Sequence, residues 1–210
     1  DGRTLSSSPV NVTEEQFNAE LQKFVGQIEQ VPPPYSAVKV QGRKAYDLAR
    51  KGEQVELEPR LINVYSLELL EWAPPEVVVD VSCSSGTYVR SLVNDLGARL
   101  GCGATLTGLR RTKSGRFTLR DAVPLRKLNE AFADGTWYQY LIPAAEALSD
   151  WTTIELEQEE VEALRHGHRI PARSSEHTMV CGVSNQGELV ALMEIDPETM
   201  EWQPKKVFFS

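Results

Sequence analysis

The stretch Cys83-Ser84-Ser85-Gly86-Thr87-Tyr88-Val89-Arg90-Ser91-Leu92 decides the fold, because a glycine turn here carries the chain from a strand into a helix. Before it, the valine-rich run Glu76–Cys83 follows Arg60–Trp72, another apolar and β-branched run, across the turn residues Pro74-Pro75. Such residues fit a pleated, half-buried surface, so both runs are expected to be strands. After it, Val89, Leu92, Val93, Leu96 and Leu100 fall on one face of a helix expected over Thr87–Leu100, with Gly101 past its end. Tyr88 and Arg90 then sit in the first helical turn. A cation gains nothing from the helix dipole at that end. Two readings of Arg90 follow: an exposed or structurally paired arginine, or one aimed into a cleft toward a fixed carboxylate.

Downstream, Ala104–Arg111 and Gly115–Leu119 are expected to be strands of a hairpin joined by Thr112–Ser114, carrying Arg110, Arg111, Lys113 and Arg116. Upstream, Thr13 and Gln16 have capping-box spacing, and Phe17, Leu21, Phe24, Val25 and Ile28 predict an amphipathic helix of about four turns. The helix must stop before Val31-Pro32-Pro33-Pro34. Ala45–Lys51 reads as a short helix closed by Gly52, and Asn129–Leu148 as mostly helical. From Trp151 the expected order is strand (Thr152–Leu156), helix (Gln158–His166) and strands near Thr178–Val183, Leu189–Ile195 and Lys205–Phe209. The whole is an α+β chain: a first domain over residues 1–148 and a small barrel-like β domain over 149–210.

With 41% hydrophobic and 25% charged residues among 210, the composition is that of an ordinary globular protein. No apolar run reaches the roughly 18 residues that span a bilayer, and the polar start has no signal-like region, so a cytoplasmic protein without a membrane partner is expected. Cys83, Cys102 and Cys181 lack metal-ligand spacing, and His166 and His168, two apart, share no helix face; neither disulfide nor metal is expected. Phe208 and Phe209 read as core. The formal net charge of -8 opposes phosphate binding, yet the basic residues crowd into Arg110–Lys127 while acids fill Glu14–Glu29, Glu53–Glu58 and Glu155–Glu162. A local basic face on an acidic protein is one reading, a solvated charged surface the other.

The Cys83–Leu92 stretch resembles a motif of the TruB-type pseudouridine synthases, and the likeness continues on both sides. Pro33-Pro34-Tyr35-Ser36-Ala37-Val38-Lys39, Gly42 and Ala45–Gly52 resemble that family's PPxYSAxKxxG…YxxARxG block, while Asp95-Leu96-Gly97, Leu100–Ala104 and Leu109–Gly115 resemble its later glycine-rich and LRR blocks. Order and spacing from about residue 31 to 128 make the resemblance specific. It implies a pseudouridine synthase catalytic domain, seen in part, with a mixed, mainly antiparallel sheet and flanking helices, followed by a PUA-like RNA-binding domain.

By position, the resemblance gives Arg90 the role of pairing with the catalytic aspartate, and Tyr88 that of an active-site tyrosine. Leu109 matches the apolar residue beside the flipped base. Tyr35 and Lys39 belong to a block that supports the site, and Arg110, Arg111 and Lys113 lie where phosphates would be held. The implied reaction isomerises the T-loop uridine of tRNA, giving pseudouridine(55), without cofactor or metal. Its aspartate lies in a GxLDPxATG segment absent from these residues. Asp80 and Asp95 lack that setting and are not promoted to nucleophile. Because the chain opens on Asp1-Gly2 with no methionine, it is expected to begin within a longer protein, the companion N-terminal segment carrying the aspartate, and to be inactive alone. The implied partner is the T-arm stem-loop of tRNA, not DNA. The alternatives are a non-catalytic RNA-binding module or RNA chaperone of the same fold, and a dyskerin-like subunit of a guide-RNA particle, which the short C-terminal domain disfavours.

Overall fold

The computed structural model describes residues 7–40, 42–53, 56–174 and 176–208. The chain divides into two compact units, Asp1–Leu109 and Arg110–Ser210.

In the first unit, Thr13 and Gln16 close the expected capping box at the head of α1 (Glu14–Gln22). The helix is nine residues long, shorter than the apolar period predicts. Gly26, at φ +105°, turns the chain into strand β1 (Gly26–Gln30), which places Ile28 opposite Ile62 in an antiparallel ladder. Phe24 and Ile28 still pack with Phe17 and Leu21, so the core position survives although the helical reading of it does not. Strand pairing has overridden a local period that fits either structure over so few residues.

The partner of β1 is β4 (Arg60–Ala73), which pairs in turn with β5 (Glu76–Cys83) across the cis Pro74-Pro75 bond, giving the order β1-β4-β5. Between β1 and β4 lie the short strands β2 (Lys39–Val40) and β3 (Arg43–Lys44) and helix α2 (Ala45–Arg50). Helix α3 (Val89–Arg99) follows β5, and its Leu92 and Leu96 join Phe17, Leu21, Ile62 and Val64 in one core. Gly97 of α3 lies against the backbone of Gly103 and Ala104, where a Cβ has no room; Gly103 N–H donates to the Gly97 carbonyl at 3.0 Å.

Ala104–Arg111 is not the strand that its sequence predicts: it has no regular structure, and the hairpin shrinks to β6 (Lys113–Ser114) against β7 (Phe117–Thr118). Strand propensity expresses packing against neighbours, and this segment has no pairing strand among the described residues. The second unit continues through α4 (Leu125–Asp134), a 3-10 turn (Trp137–Tyr140) and α5 (Ala144–Ala147), as the helical reading of that region expects.

A curled five-stranded sheet completes the chain: β8 (Thr153–Leu156), β9 (Ile170–Pro171), β10 (Met179–Ser184), β11 (Leu189–Asp196) and β12 (Glu201–Val207), in the order β8-β10-β11-β12-β9, with α6 (Gln158–Arg165) packed on it. Leu156, Val161, Leu164, Ile170, Met193 and Trp202 fill its core. Strand β9 was not legible in the sequence, and the last strand starts four residues before the expected Lys205. Pro204 hides that start. It is accommodated where the β11–β12 register shifts at Leu192/Met193, the kind of irregularity that tolerates a residue without an N–H. Phe208 is half-buried, and Phe209 lies outside the described residues.

Candidate active site at the head of α3

The turn after β5 delivers Tyr88 as the N-cap of α3, with φ -103° and ψ 103°, and Arg90 one residue inside the helix. No side chain of the usual capping kind serves this end. Instead the carboxamide of Gln30, at the end of β1 and only 3% exposed, reaches across: its Oε1 accepts from Tyr88 N–H at 2.8 Å, and its Nε2 donates to the Tyr88 carbonyl at 3.1 Å. The hydroxyl of buried Ser91 donates to the Val31 carbonyl at 2.9 Å. Arg90 donates from a terminal guanidinium nitrogen to the Tyr35 carbonyl at 3.1 Å. Three side chains thus tie the proline-rich segment 31–36 and the end of β1 to the helix head.

Arg90 is exposed, and no ion pair found among the described residues includes it. Among the described residues its one hydrogen-bond partner is a neutral carbonyl. The guanidinium therefore keeps donors for an anion, at a helix end that offers it no dipole stabilisation. Half-buried Tyr88 adjoins it. Tyr35 is 57% exposed, not a core tyrosine, and its backbone rather than its ring meets Arg90. Nearby hydroxyls of Ser36 and Thr87 are buried without a hydrogen-bond partner among the described residues.

Lys39 lines a cleft with Arg43, Lys44, Asp47, Arg50 and Lys51. Lys44 and Arg50 both lie over the Tyr46 ring, at 5.6 and 5.5 Å, and Glu53 balances Arg43 at 3.4 Å. The cleft is cationic in sum. Leu109 is 66% exposed on the irregular segment, an apolar side chain without core neighbours. Arg110, Arg111 and Lys113, in the second unit, are exposed. Arg116, carried by the same hairpin, is engaged: it donates to the Glu146 carbonyl and pairs with the Glu146 carboxylate at 3.6 Å.

Asp80 is exposed on β5 opposite Glu68, and Asp95 accepts from Asn94 on α3. Neither pairs with Arg90 among the bonds of the described residues. Among the described residues no group of three His, Cys, Asp or Glu side chains has the geometry to hold a metal, and no helix is long and apolar enough to cross a membrane. Gln30 and Ser91 escape sequence reading because nothing in their local pattern separates them from ordinary surface polar residues; their partners lie some 60 positions away.

A three-stranded antiparallel sheet backed by helices, with an arginine presented at a strand-to-helix turn and a curled sheet to follow, is the pseudouridine synthase fold. The chain superposes on a crystal structure of a Cbf5–Nop10–Gar1 complex with a TM-score of 0.74 and 27% identity, covering 95% of this chain and 63% of that one. An archaeal box H/ACA Nop10–Cbf5 complex gives 0.70 at 25% identity. Residues 1–89 match the TruB family pseudouridylate synthase N-terminal domain, and residues 90–149 the tRNA pseudouridylate synthase B C-terminal domain. The chain is 40% identical over 196 residues to tRNA pseudouridine synthase B of Thiobacillus denitrificans, covering 93% of this chain and 65% of that protein. It is 39% identical over 202 residues to the same-named protein of Stutzerimonas stutzeri, covering 94% and 66%. The chain belongs to the TruB family of pseudouridylate synthases. It spans just under two thirds of the length of these curated relatives.

Proposed function

We propose that these residues form the arginine-bearing part of a tRNA pseudouridine synthase that isomerises the T-loop uridine of tRNA to pseudouridine(55). The observation that carries this reading is Arg90: an exposed guanidinium, positioned by a backbone carbonyl, with no carboxylate bound to it among the described residues. The isomerisation needs a carboxylate that stays ionised. An arginine within bonding distance lowers a carboxylate's pKa and fixes its two oxygens through a bidentate pair. Neither Asp80 nor Asp95 pairs with Arg90 among the described residues, and in this reading the carboxylate is the aspartate of the GxLDPxATG segment that the family resemblance implies.

In the reaction the C1′–N1 bond breaks, the base turns, and C1′ rejoins at C5; the C5 proton is released and N1 takes one up. Every bond broken is matched, and no redox step arises. The uridine must leave its stack first, and the exposed side chain of Leu109 offers apolar surface to a displaced base. Tyr88 lines the same site. Arg110, Arg111 and Lys113 hold phosphates of the T-arm, as do Lys39 and the cations of its cleft. Residues 149–210 act as the RNA-binding domain. Assembly into a guide-RNA particle has less support: identity to the Cbf5 complexes is 25–27%, against about 40% to proteins named tRNA pseudouridine synthase B. The setting this implies is the cytoplasm, where tRNA is modified.

The test is in vivo. Total tRNA from cells lacking this protein, treated with a carbodiimide that marks pseudouridine and read by primer extension, should lose the T-loop stop and regain it on complementation. A stop that persists in those cells overturns the reading.

A further inference from the structure

Gln30 is the buried link between the sheet and the helix head, and we infer that it is a positioning residue for the isomerisation, setting the direction of Arg90 and Tyr88 through the Tyr88 peptide groups. The inference rests on the reading of Arg90 above. Gln30 ends β1, paired with Arg60 in the ladder, so its own backbone is fixed by the sheet. Among the described residues its carboxamide bonds to Tyr88 alone, accepting from the N–H at 2.8 Å and donating to the carbonyl at 3.1 Å. The amide orientation is dictated by this pair, since the flipped amide would set donor against donor and acceptor against acceptor. The same Tyr88 carbonyl accepts from Ser91 N–H at 3.0 Å and Leu92 N–H at 3.2 Å, the first bonds of α3. One side chain therefore holds both sides of the residue from which the helix starts.

The leverage follows from place. Tyr88 has non-helical backbone angles and Arg90 sits two residues on, so rotation at Tyr88 swings the guanidinium directly. The side chains of Ser91 and Arg90 attach segment 31–36 to the helix but make no bond to the Tyr88 peptide groups. Without the carboxamide, Tyr88 N–H has no other partner among the described residues, in a half-buried place where an unpaired donor is costly. The helix head would shift to find one. A displacement of about 1 Å at a positioned group is enough to cost roughly 10²-fold in rate.

The test uses the whole protein and T-arm RNA, under single turnover with RNA affinity measured in parallel. Gln30→Ala should lower the rate about 10–100-fold while the Kd for RNA stays within about twofold. In an Arg90→Ala background the same change should add little, because the group being positioned is gone. Gln30→Glu supplies a second arm. Its protonated carboxyl presents a carbonyl and an O–H where glutamine presents a carbonyl and an N–H, so its rate relative to wild type at the same pH should climb as pH falls toward the carboxyl range, raised by burial. If Arg90→Ala alone leaves the rate intact, the reading of Arg90 fails. If Arg90→Ala is slow but Gln30→Ala is not, or the two losses multiply, the inference about Gln30 is overturned. Should Gln30→Ala fail to fold, a Gln30→Glu rate ratio that ignores pH overturns it equally.

Discussion

Arg90 could be singled out in the sequence because a cation at a helix N-terminus after a glycine turn is out of place by ordinary helix chemistry. What the sequence does not carry is how it is held, since the Tyr35 carbonyl is 55 positions away. Replacing Arg90 with alanine should lower turnover roughly 10²–10³-fold, the usual loss of one electrostatic partner at a reacting centre, while RNA binding changes little. Lysine in its place should recover only a small part, because one ammonium cannot donate to the Tyr35 carbonyl and bridge both oxygens of a carboxylate as a guanidinium fork does. Single-turnover rates beside filter-binding affinities check both; a loss confined to binding contradicts them. In the second unit, Asp196 is held below the usual carboxylate range by the backbone N–H groups of Glu198 and Thr199, with Arg169 at 2.8 Å adding to it. A depressed folded-state pKa means stability that is present above the ordinary aspartate value of about 3.9 and lost as pH falls through the folded value. Asp196→Asn should therefore lower the urea midpoint at neutral pH, and its gap from wild type should close in acid. A gap independent of pH contradicts this.

At the scale of elements, the strands β4 and β5 and helix α3 were legible to within a residue or two, because each is long, strongly patterned and bounded by proline or glycine. Errors gather where pairing partners decide. Phe24, Val25 and Ile28 extend the period of α1 on paper, yet the ladder with β4 takes Ile28 into a strand. Ala104–Arg111 has strand composition and no pairing strand among the described residues. Strand β9, two residues containing a proline, exists only because β12 is there to receive it. The packing of α3 offers a direct check on this level. Gly97 presses on the Gly103–Ala104 backbone, which cannot yield as a side-chain tip can. Gly97→Ala should cost about 1–3 kcal/mol of stability by overpacking, despite alanine's better helix propensity. Equilibrium denaturation measures it, and a neutral or stabilising result would show that the segment after Gly101 is not seated on the helix.

For the whole molecule, the net charge of -8 points away from nucleic acid, and only the segregation of charge points toward it. Acids line α1 and α6, while Arg110, Arg111 and Lys113 follow one another in exposed positions. If these residues hold phosphates, Arg110→Ala with Arg111→Ala should weaken T-arm binding and shallow its salt dependence by about 0.9 per lost contact on a log–log plot. An unchanged slope would place the RNA elsewhere. Whether this chain serves a site that turns a uridine over is read by tritium release. The whole protein, mixed with T-arm RNA labelled at uridine C5, should release the label as C5 becomes the glycosidic carbon, and the Arg90→Ala protein should bind the same RNA and release it far more slowly. Tight binding by the unaltered protein with no release would contradict the account and leave an RNA-binding protein in place of an isomerase.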